Sequence, residues 1–204
     1  MAVRIDDEPV ALEANSLRSL LAAAREHLAP AGRMVVQVQV DGEMVVDDAL
    51  DSDTPADFTT TDVQVYSAKP AELAVGALEQ ARAMIDTARQ QQEDAAALLQ
   101  KDQTAEALAQ VGESIQGWIQ AQQAVTAVAQ LLGLDLTAVT VDGDTVAART
   151  QELLTRLVEL KGLIEANDHV ALADALAYEW PETTQRWDAA LGALVEHIEN
   201  PGSA

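Results

Sequence analysis

Alternation of apolar and polar residues opens the chain. Val3 and Ile5 flank Arg4, and a second apolar run, Val10 to Leu12, follows Asp6-Asp7, which reads as a small hairpin. The period then lengthens. Leu17, Leu20, Leu21 and Ala24 share one face of a helix that Asn15 or Ser16 caps and that Ala29-Pro30-Ala31-Gly32 stops. Met34 to Val40 alternates apolar residues with Gln over its second half, as a strand does when one face of its sheet is wet. Asp41-Gly42 supplies a two-residue turn and Glu43 to Val46 returns. A loop rich in Asp, Thr and Pro (Asp47 to Thr61) precedes a last strand, Val63 to Tyr66.

From Lys69-Pro70 onward the pattern is helical. Leu73, Ala77, Ala81, Met84, Ile85 and Ala88 recur at helical spacing, and the series resumes at Ala95, Leu98 and Leu99. Lys101 to Thr104 interrupts it, with Thr104 as the expected cap of a second helix. That helix carries Leu108, Val111, Ile115, Trp118, Ile119, Gln122, Val125, Val128 and Leu132 along one stripe, and Gly133 ends it. Leu134 to Asp144 contains β-branched residues and another Asp-Gly, which suits an extended segment. A third helix has apolar residues at Val146, Leu153, Leu154, Leu157, Val158, Leu160, Leu163 and Ile164, a face wide enough to predict that it is the most buried. Asn167-Asp168 separates it from a fourth, in which Pro181 predicts a kink or a split. The reading is α+β: a small unit over residues 1–68 that resembles a ubiquitin-like β-grasp in its order of elements, then an antiparallel four-helix bundle over residues 69–204.

Charge narrows the function more than fold does. Thirty-four acids against twelve bases give a net charge of −22. Neither part is basic, so nucleic-acid binding, which needs a cationic surface to release counterions, is disfavoured. A solvated surface that keeps the protein soluble is the simplest account of the acidity; a salt-adapted host and a basic partner are the others. There is no cysteine, which removes disulfides and thiolate chemistry. The first ten residues hold three acids and no apolar run, and no apolar window is long enough to span a bilayer, so a cytoplasmic address is expected.

The sequence carries none of the common catalytic or cofactor motifs. His27, His169 and His197 have Ala24, Ala166 and Leu194 three residues before them, not the Glu of a di-iron bundle, and they read as helix-end or surface residues. No glycine loop for phosphate and no nucleophile elbow occurs. Asp51-Ser52-Asp53, Asp57 and Asp62 have the spacing of a calcium loop, but Pro55 and Ala56 stand where a ligand and a turn glycine belong. Gly112, Gly117 and Ala121 read as small residues that let helices approach closely. No catalytic residue, metal ligand or cofactor is therefore assigned.

The densest unusual stretch runs from Leu172 to Pro181, with Trp187 beyond it. Tyr178, Trp180 and Trp187 are the candidate partner-binding residues, because aromatics with a polar handle are enriched in interface hot spots. The competing reading puts both tryptophans, seven residues apart, in the bundle core. The strings Val38-Gln39-Val40-Asp41-Gly42-Glu43, Ile115-Gln116-Gly117-Trp118-Ile119 and Leu172 to Glu179 resemble those of an uncharacterised family of small acidic bacterial proteins. The helical part is also broadly similar in composition to flagellar and type III export chaperones. What these resemblances imply is a non-enzymatic adaptor or chaperone-like module that binds a helical segment of a protein, a flagellar or secreted one among the candidates. The alternatives are a self-associating homodimer and an enzyme without a recognisable motif.

Overall fold

The computed structural model describes residues 2–45 and 62–200, and these divide into two compact units, Met1–Leu73 and Ala74–Ala204. The first unit builds its sheet from β1 (Ala2–Ile5), β2 (Glu8–Pro9), β3 (Met34–Val40), β4 (Glu43–Met44) and β5 (Asp62–Ala68), in the order β2-β1-β5-β3-β4. β1 runs parallel to β5, and the other pairs are antiparallel. Two tight turns close the hairpins with left-handed residues, Asp6 and Asp7 (φ 48° and 68°) and Asp41 and Gly42 (φ 52° and 84°). The second strand differs from the Val10–Leu12 expected: pairing starts directly after the turn, at Glu8, and Val10 adds one further hydrogen bond to Val3 at 2.9 Å. With only two residues in the turn, the register of the hairpin is set by the turn and not by the later apolar run.

Helix α1 (Leu17–Leu28) covers one face of this sheet. Ser16 caps it through a hydrogen bond accepted from the Ser19 amide at 3.2 Å, while Ser19 Oγ accepts from the Ser16 amide at 3.0 Å. Leu20, Leu21, Ala24 and Leu28 meet Val3, Ile5, Val38, Val63 and Val65 in one apolar cluster. On the rim, Asp6 accepts from Ser67 Oγ at 2.5 Å and from the Ser67 amide at 2.7 Å, and Arg33 donates to it at 3.1 Å.

The second unit is helical: α2 (Pro70–Leu99, which enters it at Ala74), α3 (Thr104–Leu132), α4 (Val146–Glu165), α5 (His169–Asp174) and α6 (Trp180–Glu199). α3 doubles back on α2, since Gly117 lies against Met84 and Ala88 while Gln91 donates to Glu113 at 2.9 Å. The N-cap of α3 is Gln103, which makes no side-chain cap bond, and Thr104 is the first helical residue. Gly133 ends α3 in the left-handed region, φ 64°. The extended segment beyond it contains a two-residue hairpin, β6 (Thr140–Val141) and β7 (Asp144–Thr145), closed by Asp142 and Gly143 at φ 52° and 87°. Buried Arg149 ties that hairpin to α4 by pairing with Asp144 at 2.9 Å.

One expectation fails here, and the one for Pro181 takes a particular form. α4 is not the most buried helix: Leu153 and Leu160 point inward, but Leu154 and Val158 are 43% and 70% exposed. Its apolar stripe is wider than the neighbours that cover it. Pro181 is the second residue of α6, and the last segment divides at the turn before it into α5 and α6. Residues Ala175–Glu179 form a π turn that joins α5 to α6, with the Trp180 amide reaching back five residues to the Ala175 carbonyl. A proline in a regular α-helix clashes with the carbonyl four residues before it, here that of Ala177; widening the preceding turn relieves the clash.

Candidate functional site

The segment from α5 to α6 is amphipathic on a mixed α and π winding. Leu172, Ala173, Ala175, Leu176, Trp180, Trp187, Leu191 and Leu194 are buried along one side. Trp180 and Trp187 close on Trp118 of α3, with ring centroids 5.3 Å and 6.2 Å away and the second pair edge to face. The three rings fill the middle of the core, at 3% or less exposed. Trp180 and Trp187, offered by the sequence as partner contacts, thus lie where no partner reaches them in this conformation. The π turn keeps the downstream helix in phase with the core, so both rings stay inside. The indole N–H groups of Trp118 and Trp187 have no hydrogen-bond partner.

Tyr178 behaves differently. It sits on the π turn at 75% exposed, on the opposite side from the tryptophans. Val170 is also 75% exposed, and exposed Asp174 lies midway between them. A four-residue step in an α-helix overshoots a full turn, whereas the same step in a π turn falls short. The two offsets cancel, so Val170, Asp174 and Tyr178 form one outward stripe. The support beneath is rigid. Glu179 accepts from Arg156 of α4 at 2.6 Å, Arg156 also reaches Glu159 at 3.2 Å, and Leu176 and Trp180 are locked in the core.

Grooves run between the helices of this unit, one of them beside the stripe. One of about 490 Å³ lies between α4 and the π turn, around Arg156, Leu163, Ala171 and Glu179. A second, of about 510 Å³, lies between α2 and α6, where Arg82 makes a bidentate pair with Asp188 at 2.7 and 3.0 Å. Here Arg89 is held by Asp86 and Glu93, so the charges are mutually paired. The largest, about 570 Å³, follows α2 and α3 on either side of Gly117, where an added Cβ would stand 3.4 Å from Ala88 Cβ and the Met84 carbonyl. Gly112, also expected to permit close approach, faces open space.

The histidines do not converge. His27 and His197 lie in the last turns of α1 and α6, and His169 opens α5. Among the described residues no three His, Cys, Asp or Glu side chains gather in a way that could hold a metal ion, and no helix is long and apolar enough to cross a membrane. The calcium-like string Asp51 to Asp57 lies outside the described residues; Asp62, at its end, pairs with Arg4 at 2.7 Å.

A helical unit fixed by a buried tryptophan trio and an internal π turn defines the class. The chain belongs to the DUF8042 family, a domain of unknown function, whose model matches residues 77–190, more than half of the 204-residue chain. That match falls within the helical unit and includes all three tryptophans and Tyr178. No curated protein and no solved structure matches the chain.

Proposed function

We propose that this protein is a non-enzymatic interaction module, adaptor or chaperone-like, that acts in the cytoplasm and holds a helical segment of another protein. The observation that carries this reading is Tyr178, 75% exposed on a turn whose two neighbours in the helix, Leu176 and Trp180, are fixed in the core. A large amphipathic side chain held on a rigid element loses little conformational entropy on binding, which is what an interface anchor needs. Val170 and Asp174 extend the anchor along one helical side. They suit a partner helix with an apolar stripe and a Lys or Arg opposite Asp174. The charge of residues 74–204, seven bases against twenty acids, favours a basic partner; among bacterial proteins, a flagellar or secreted one is the candidate.

Finer architecture follows the same reading. The strand order, with parallel β1 and β5 at the centre and α1 between β2 and β3, supports a ubiquitin-like β-grasp over residues 1–68. Counting α5, the π turn and α6 as one continuous helix supports a four-helix antiparallel bundle over residues 69–204. The test is capture from the native host by wild type, Tyr178→Phe and Tyr178→Ala. A partner held by the first two and lost by the third supports the proposal. Equal capture by all three removes Tyr178 from the interface.

A further inference from the structure

The charge of the helical unit is distributed unevenly. Its acids and bases crowd α2, α4 and α6, yet α3 carries only Glu106 and Glu113, and residues 114–134 hold no charged side chain at all. Much of that run is in solvent: Gln116, Gln120, Gln123, Thr126, Ala127, Gln130 and Leu131 are exposed. Beside it, the edge of α2 that lines the shared groove is Gln80, Ala83, Met84, Thr87 and Gln91, again without charge. Arg82, Asp86, Arg89 and Glu93 turn instead toward the groove with α6. The one charge in the α2/α3 groove, Glu113, is met by the Gln91 amide at 2.9 Å. The carboxamides of Gln80, Gln116 and Gln120 make no hydrogen bond to another described residue, so each offers a donor and an acceptor to solvent.

From this we infer that the uncharged α2/α3 face, centred on Gly117, is where a second copy of this chain docks in a twofold homodimer. Two bodies of net charge −22 repel over their whole surfaces except where both lack charge, and this face supplies such a place. A twofold interface must be complementary to itself, and a carboxamide is: its N–H₂ on one copy donates to the C=O on the other, and the reverse. A row of carboxylates could not do this. Depletion of charge is also the compositional mark of an interface core. The size is sufficient for a weak dimer. The stripe from Glu113 to Leu131 is about 27 Å long at 1.5 Å per residue. The uncharged edge of α2 beside it, Gln80 to Gln91, is about 17 Å long, so with each helix about 10 Å wide the face buries roughly 900 Å² over both copies, in the range of weak, transient contacts.

This inference stands apart from the Tyr178 stripe, and salt separates the two. Screening weakens the hold on a basic partner but relieves repulsion between two acidic copies. Sedimentation velocity of the full chain, from about 5 to 500 μM, should show a reversible monomer–dimer equilibrium that tightens at least severalfold between low and 0.5 M salt. The double variant Gln116→Glu with Gln120→Glu changes only exposed positions and should raise the dimer Kd at least tenfold while leaving the circular dichroism spectrum unchanged. Gln151→Glu on α4 and Tyr178→Ala should leave the dimer as it is. A chain that stays monomeric throughout the range in 0.5 M salt overturns the inference. So does a dimer that the double variant leaves intact, because another face then carries it.

Discussion

Trp187→Ala tests whether the aromatic trio is the keystone of the helical unit. The ring is 2% exposed and packs edge to face on Trp118 at 6.2 Å. Truncating a buried Trp costs about 3–5 kcal/mol through lost transfer energy and the cavity left behind. Losing the ring pair adds about 0.5–1.5 kcal/mol. One effect opposes these. The indole N–H has no partner, and removing an unsatisfied buried donor regains about 1–3 kcal/mol. The packing terms win, for a net loss of about 3 kcal/mol. Trp187→Phe keeps much of the ring and removes the orphan donor, so it should cost less than about 1.5 kcal/mol. Urea unfolding followed by far-ultraviolet circular dichroism reads the helical unit, which holds most of the helix, without relying on the fluorophore being changed. Tyr178→Ala, a surface change, should stay within about 0.5 kcal/mol of wild type in the same assay. A Trp187→Ala loss below 1 kcal/mol, or a Tyr178→Ala loss above 2, would refute the assignment of inside and outside on this helix.

Gly112 lies within α3 facing open space, so Gly112→Ala should stabilise by about 0.8–1 kcal/mol in urea melts through helix propensity alone. Gln92 is 1% exposed with both amide atoms unpartnered, and Gln92→Met should raise the unfolding midpoint, with a gain of about 1–2 kcal/mol. Asp6 is a pH-dependent contact in the sheet unit. Burial alone would raise its carboxyl pKa, but the bonds from Ser67 and the Arg33 guanidinium outweigh that and hold it below the ordinary 3.8. A depressed pKa contributes stability that is present above 3.8 and disappears as pH falls through the folded value. Asp6→Asn, tolerated at a left-handed position, should therefore weaken amide protection in β1 and β5 at neutral pH, and the difference should shrink as pH falls below 3.8 and vanish only below the lower, folded-state value.

Features set by a few neighbouring residues were legible in the sequence. Ser16 caps α1, Gly133 ends α3, and Asp41-Gly42 turns β3 into β4, because each depends on one side chain or one dihedral angle. Burial was less legible, since it depends on what lies opposite. Leu154 and Val158 repeat at helical spacing like Leu153 and Leu160, yet no element covers them. The fate of Pro181 turned on a π turn, whose extra residue leaves no mark on a 3.6 period. Of the three aromatic candidates only Tyr178 reached the surface, while the charge-free run of α3 was visible as text but gained meaning once its outer face proved open.

Photo-crosslinking at position 178 tests the central claim most directly. With a benzophenone amino acid replacing Tyr178 in the native host, irradiation should join the chain to one distinct polypeptide, with adducts mapping to a helical, basic segment of it. The same probe at Gln151, on the exposed side of α4, should not capture that polypeptide. If position 178 yields no adduct, or the same diffuse set as position 151, the stripe of Val170, Asp174 and Tyr178 is not a binding surface and the interaction reading fails.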